Sequence, residues 1–440
     1  MRKEEYLRIV TEQMRCKRAR EAVRKEIQDH IEDQADAFIA EGMKREEAEE
    51  AAVREMGDPV ETGNGLDRIH RPKMDWRTIG LIGVLGIAGL ALQWMMQNYF
   101  GSGEAEIQMG KQTGILLLSF GLMIGVCYWD YSRIACRSGI CMALLLLFLI
   151  LGNRFFGVQI NGANYWISFG RISINMRQLL LLLVPLYGGL LYSWRGQGYR
   201  AVVKAVLWML PGVAFAFCMP SILTAILLFF SFAVLLTLAV AKGWFRVAKI
   251  PLLAGIWGVI LLIPFIGTGA VMLWGASYQK ARLFAPWGES YQSQMVRDLL
   301  GGSRWFGAGQ RPAADQMFYL SEYTLAYAAS YYGILAVILL TALIGFLFLR
   351  FLRISLRQKN GLEMIMGTGC STVLLLQFLF YLADNLAGFP VGGSYCPFLT
   401  YGGTGMVVTY ILLGILLSIY RYENVITESS TNLFYKTYTL

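Results

Sequence analysis

The feature that most constrains this chain is a series of long apolar runs that begins at residue 78 and continues almost to the end. Ten stand out, at 78–97, 112–129, 138–153, 176–193, 202–218, 220–241, 252–274, 323–349, 364–384 and 403–420. Several are close to the roughly 20 residues an α-helix needs to cross a bilayer. Met219-Pro220 alone separates two of them, so a tight turn is required there. Of the 440 residues, 56% are hydrophobic and 16% charged. A soluble domain carries about 25% charge, and a single core stops growing at roughly 250–300 residues. The composition excludes a plain cytosolic enzyme, a disordered chain, a collagen-like repeat and a small disulfide scaffold. It predicts an all-α polytopic membrane protein of about ten transmembrane helices.

Charge is divided unevenly along the chain. Residues 1–77 hold 16 Lys+Arg and 19 Asp+Glu, whereas residues 78–440 hold 23 and 11. Basic residues mark cytoplasmic loops in membrane proteins. Arg133 and Arg137, Arg195 and Arg200, Lys242, Arg246 and Lys249, and Arg350 to Lys359 fall on one side of the predicted topology. The opposite loops hold Glu104, Glu106, Lys111 and Asp384, with Arg154 and Arg171 as a partial exception. The expected protein therefore sits in the plasma membrane with both termini cytoplasmic. Its positive charge records topology and not a nucleic-acid partner. The seven cysteines form no C-x-x-C pair, and the two histidines, His30 and His70, both precede the first run. Buried cysteines and no histidine metal site in the membrane part are expected.

The first 75 residues read as a small cytoplasmic helical module. Val23, Ile27, Ile31 and Phe38 share a helical face, Gly42 ends that helix, and Lys44 to Met56 forms another before Gly57-Asp58-Pro59. The expected organisation is 1–75 prefix, 76–424 membrane domain and 425–440 cytoplasmic tail. Between the seventh and eighth spans, 275–322 forms a long extracellular loop with seven aromatics from Tyr278 through Phe318. Long loops are functional or disordered, and aromatics argue against disorder. An ordered lid or site-forming loop is expected.

Four stretches carry a resemblance. In "GANYWISFGRISINMRQ" at 162–178, Gly162, Ala163, Trp166, Ile167 and Gly170 match G-A-x-R-W-I-x-x-G. In "MPSILTA" at 219–225, Pro220, Thr224 and Ala225 match Q-P-D-L-G-T-A. In the long loop, "YQKAR" at 278–282 and the stretch at 291–309 keep Tyr291, Gln292, Gly301, Gly307 and Gly309 in register. The most specific is "FPVGGSYCPFLTYGGTG" at 389–405, where Pro390, Val391, Gly393, Pro397, Phe398, Tyr401, Gly402 and Gly403 match without a gap. Together these resemble the SEDS family (shape, elongation, division and sporulation), whose members include FtsW, RodA and SpoVE. Residues 1–75 lie outside this and resemble the permease-prefix module of some Gram-positive membrane proteins.

The resemblance implies a peptidoglycan glycosyltransferase that polymerises lipid II, an undecaprenyl-linked substrate, at the outer face of the membrane. It also implies a class B penicillin-binding protein as partner. The family's catalytic aspartate position falls on Glu322, and Trp166, Arg282, Gln292, Pro390, Gly393, Pro397, Tyr401, Gly402 and Gly403 are the implied substrate-binding residues. Glycosyl transfer needs a base near the acceptor hydroxyl, and a carboxylate suits it. Glu322 enters an apolar helix from a polar loop, which raises a carboxylate's pKa or sets it beside a bound divalent cation. The plain alternative is an interfacial glutamate with its head in water. Trp166 either stacks on a sugar or lies at the lipid interface. Arg177 either snorkels or lines a polar cavity. Glu289, Asp298 and Asp315 read as solvated loop acids. Gln178 and Ser221 stand where the family has carboxylates. Two further readings follow from these departures and from the polytopic pattern: a non-catalytic scaffold of a wall synthase, and a lipid-linked precursor flippase.

Overall fold

The protein is described here from a computed structural model. It describes residues 1–100, 109–129, 131–160, 163–170, 172–219, 221–274, 277, 280, 291–309, 322–387 and 395–423. The chain divides into two compact units. One gathers residues 1–75, 358–363 and 417 onward; the other holds 76–357 and 364–416.

The first unit is built on four helices: α1 (Lys3–Gln13), α2 (Lys17–Ala40), α3 (Arg45–Glu55) and α4 (Pro59–Ile69). Its core is Tyr6, Leu7, Val10 and Ile31, none of them exposed. The Tyr6 hydroxyl donates to the Met56 carbonyl (3.1 Å) and reaches Thr62 Oγ1 (3.3 Å), tying α1 to the start of α4. Gly42 and Gly57, at φ +100° and +76°, close α2 and α3 in the left-handed region that glycine adopts freely. Gly57-Asp58-Pro59 ends one helix and also begins the next. The Asp58 carboxylate accepts from the Val60 and Glu61 N–H groups, and Pro59 fills a position that needs no N–H.

The second unit is helical and membrane-spanning. Its elements are α5 (Trp76–Phe100), α6 (Met109–Tyr128), the short α7 (Tyr131–Cys136), α8 (Ser138–Phe156), β1 (Gly157–Ile160), β2 (Ala163–Phe169), β3 (Ile172–Asn175), α9 (Met176–Leu179), α10 (Leu183–Ser193), α11 (Tyr199–Cys218), α12 (Ile222–Ala241), α13 (Lys249–Trp274), α14 (Tyr291–Gly301), α15 (Thr324–Tyr332), α16 (Ile334–Arg357), α17 (Gly361–Ala387) and α18 (Gly403–Tyr422). Among the described residues, nine helices are long and apolar enough to cross a membrane, with α9 and α10 joined through a 3₁₀ turn into one span, Met176–Ser193. The expected run at 252–274 is the 26-residue α13.

The interior lies between α10, α12 and α17. Tyr187 and Phe232 rings approach to 4.7 Å, and Gly188 and Gly369 bring α10 and α17 close together, since a Cβ on Gly188 would meet the Ile365 carbonyl at 3.3 Å. Leucines on α8, α11 and α16 face outward, where lipid is their solvent.

Three features depart from the sequence reading. The run at 323–349 is two helices. Gly333, at φ +93°, breaks it, and residues 304–309 line the break. Gly307 and Gly309 donate to the carbonyls of Tyr332 (3.2 Å) and Ser330 (2.8 Å), and Ile334 donates to the Arg304 carbonyl (2.9 Å). An apolar run does not reveal such a break, because both halves are apolar, α15 facing the protein interior and much of α16 facing outward. The segment 154–175, read as an outside loop, holds a three-stranded antiparallel sheet in the order β1-β2-β3. Its register pairs Trp166 with Asn175, and Ile167 is fully buried against Gly152. Asp384, read as lying in an outside loop, is inside α17 and buried. Of the expected loop at 275–322, α14 and the turn to residue 309 are ordered; most of the remainder lies outside the described residues.

Candidate functional site

Glu322 lies two residues before Thr324, where α15 begins, and is half-buried. One fully buried side chain, Asn385 of α17, holds this turn in place. Its Oδ1 accepts from the N–H groups of Leu325 (3.2 Å) and Ala326 (3.4 Å), capping the start of α15. Its Nδ2 donates to the Glu322 carbonyl (3.4 Å) and to the Tyr381 carbonyl (3.2 Å). All four hydrogen-bonding valences of this amide are thereby used, three of them on the turn from Glu322 to Ala326.

The Glu322 carboxyl lies above the usual carboxylate range, because burial disfavours its charged form; the Arg177 guanidinium opposes this and favours ionisation. Arg177 arrives from the sheet. Asn175, the last residue of β3, accepts from the Arg177 N–H through its side chain (3.1 Å), and its own N–H donates to Thr404 Oγ1 at the start of α18 (3.0 Å). The Arg177 guanidinium carbon lies 3.9 Å from the centre of the Tyr165 ring on β2. The start of Met176–Ser193, the end of α17 and the start of α18 thus meet at one end of the bundle, with Glu322 among them.

Next to Arg177 is a small crevice lined by Gln178, Thr224, Gln377 and Tyr395. Gln377 Nε2 donates to Gln178 Oε1 (3.1 Å), a neutral pair where the resemblance leads one to expect a carboxylate. A wider groove, about 690 Å³, is elsewhere, in the N-terminal unit, lined by Ile27, His30, Met56 and Leu66 together with Lys25, Glu26, Asp29 and Asp33. Among the described residues no group of three His, Cys, Asp or Glu side chains gathers as metal ligands.

The residues expected from the sequence separate into groups. Glu322 is in the site. Trp166 is half-buried on β2, its ring 6.0 Å from that of Tyr165, and so borders the Arg177 stack. Pro397, Tyr401, Gly402 and Gly403 build the turn leading into α18. There the Cys396 N–H donates to Thr400 Oγ1 (2.9 Å), and Phe398 is held at φ +73°. That conformation is rare for a bulky residue and costs on the order of 1–3 kcal/mol. It is held by packing: the Phe398 ring stacks on Phe348 at 6.4 Å, and Gln93 Nε2 donates to the Leu399 carbonyl (2.7 Å). Gly89 of α5 has no room for a Cβ against the Phe398 carbonyl oxygen. This stretch acts as a rigid joint, and it brings Thr404 to Asn175 and Tyr395 to the crevice beside Arg177. Arg282, Pro390, Gly393 and the side chain of Gln292 lie outside the described residues; the Gln292 backbone is in α14. Asn385 and Tyr165 are absent from the sequence-based candidates. The only available signal for Asn385 was a polar Asp384-Asn385 pair at the end of an apolar run.

Fold and site together define a multi-pass membrane protein in which a half-buried carboxylate and a guanidinium are brought together at one end of a helical bundle. The family model for FtsW, RodA and SpoVE, described as "Cell cycle protein", matches residues 72–425, and the chain belongs to that family. It is 27% identical over 368 residues to the "Probable peptidoglycan glycosyltransferase FtsW" of Thioalkalivibrio sulfidiphilus, covering 77% of this chain and 88% of that protein. A structure described as "Structural coordination of polymerization and crosslinking by a peptidoglycan synthase complex" superposes with a TM-score of 0.66 at 22% identity, over 80% of this chain and 98% of that one. The crystal structure of the Thermus thermophilus rod shape determining protein RodA gives a TM-score of 0.54 at 21% identity, over 79% of this chain and 97% of that one.

Proposed function

We propose that this protein is a peptidoglycan glycosyltransferase that polymerises lipid II for cell wall growth, division or sporulation, with Glu322 as its general base. The observation that carries the assignment of the base is the placement of Glu322: a carboxylate at the family's aspartate position, half-buried and anchored by Asn385. In the step proposed, the acceptor sugar hydroxyl attacks the anomeric carbon of the donor. The bond from that carbon to the diphosphate oxygen breaks, and its electron pair leaves with the diphosphate. Glu322 takes the hydroxyl proton. Its raised pKa strengthens it as a base, and Arg177 favours its ionised form.

Purified protein should convert labelled lipid II to polymer, and Glu322→Gln, which keeps shape and removes basicity, should abolish this. Polymer formation unchanged in Glu322→Gln refutes the assignment of the base. A preparation that makes no polymer but co-purifies with a penicillin-binding protein would favour the scaffold reading, which the neutral Gln178–Gln377 pair motivates.

The same reading gives the protein a class B penicillin-binding protein as partner, which would crosslink the emerging strand. It puts both termini in the cytoplasm on the strength of the basic loops at 133–137, 195–200, 242–249 and 350–359. Residues 1–75 are then a cytoplasmic helical module, 76–424 the membrane domain and 425–440 a cytoplasmic tail.

A further inference from the structure

Arg177 has a property that its effect on Glu322 does not use. One face of its guanidinium is covered by Tyr165 at 3.9 Å. Its Nε is buried and, among the described residues, has no hydrogen-bond partner. Glu322 acts on Arg177 only through space. The crevice it lines is polar but acid-free: Gln178, Thr224, Gln377 and Tyr395. A half-buried guanidinium with an unused N–H and no acid in its crevice is costly to keep unless an anion joins it. Its flat fork of donors matches phosphate oxygens.

The position relative to Glu322 identifies which anion. A base that takes the acceptor's proton and a cation that meets the departing charge belong on different sides of the reacting carbon, near each other but not in contact. Preorganised positive charge at the point where negative charge develops is the largest single contribution to many such reactions. We propose that Arg177 and its crevice bind the diphosphate of the polyprenyl-linked donor and neutralise it as it leaves. This rests on the glycosyltransferase reading. The closed crevice has only about 10 Å³ of water-accessible space, enough for about one water, so the diphosphate presents its outer oxygens to Arg177 and is not engulfed.

The test uses the full-length protein in nanodiscs. In the wild type, modification of Arg177 by phenylglyoxal is followed by mass spectrometry with inorganic pyrophosphate, lipid II or polyprenyl alcohol present. Protection by lipid II or pyrophosphate, but not by the alcohol, is expected; protection by lipid II alone would mean that the lipid anchor is needed for binding. No protection by either diphosphate, or equal protection by the alcohol, overturns the proposal. Arg177→Gln should raise the lipid II KM and the pyrophosphate inhibition constant together by about tenfold to a hundredfold, the worth of one charge-assisted contact, and Arg177→Lys should recover part of this. Unchanged constants in Arg177→Gln overturn it. Protection without polymer formation in the wild type would sink the glycosyltransferase reading and leave the diphosphate site standing. Polymer formation without protection would do the reverse.

Discussion

Replacing Asn385 with leucine removes four hydrogen bonds while keeping nearly the same volume. Two of the losses matter energetically. The N–H groups of Leu325 and Ala326 belong to fully buried residues, and they have no intrahelical acceptor at the start of α15. Leaving each unsatisfied costs about 1–3 kcal/mol, so the turn before α15 is destabilised by roughly 2–6 kcal/mol. The longer bond, to Ala326 at 3.4 Å, argues for the lower half of that range. The Tyr381 carbonyl loses little, because it keeps its acceptor role within α17. The expected response is a shift of the 322–326 turn away from α17. A displacement on the order of 1 Å at a reacting group costs about a hundredfold in rate. The kcat for polymer formation from lipid II should therefore fall by roughly that factor, with KM changed little, since Asn385 bonds only to protein. Asn385→Asp keeps the acceptor for both N–H groups and should retain more activity. Gel-resolved polymer from labelled lipid II, measured across substrate concentration on protein that still elutes as a single folded species, decides the matter. A kcat within threefold of wild type would refute the claim that Asn385 positions Glu322.

Three further outcomes follow. With Glu322 as the proposed base, catalysis requires its ionised form, and burial raises its pKa, so kcat/KM should fall with decreasing pH along a limb displaced upward from that of an ordinary glutamate. Because Arg177 favours the ionised form, Arg177→Gln should move that limb to higher pH in a pH–rate profile; a shift to lower pH would contradict the assigned coupling. Gly333→Ala places a Cβ 2.7 Å from the Trp305 carbonyl at a φ of +93°, and on the order of 1–3 kcal/mol of strain should lower the thermal unfolding midpoint. An unchanged midpoint would mean that the break between α15 and α16 is not held as described.

The membrane architecture was legible in the sequence because bilayer thickness imposes a length on each apolar run, and length can be read without knowing any neighbour. The helical prefix was legible for a similar reason: Gly42, Gly57 and Asp58 act within one turn of themselves. The resemblance at 389–405 was also readable, yet its described residues from 395 to 403 form a strained joint against α5, and Thr404, one step beyond Gly403, reaches Asn175.

The site itself was decided by the tertiary structure. Glu322 could be aligned from sequence, but its anchor Asn385 is 63 residues away and the cation that acts on it, Arg177, lies far back at the start of another span. The sheet at 157–175, whose short strands resemble a loop in composition, brings Tyr165 and Arg177 together. A single side chain carries no record of which distant group will face it. Its charge, its hydrogen bonds and therefore its chemistry are set when helices that the bilayer requires individually are packed against one another.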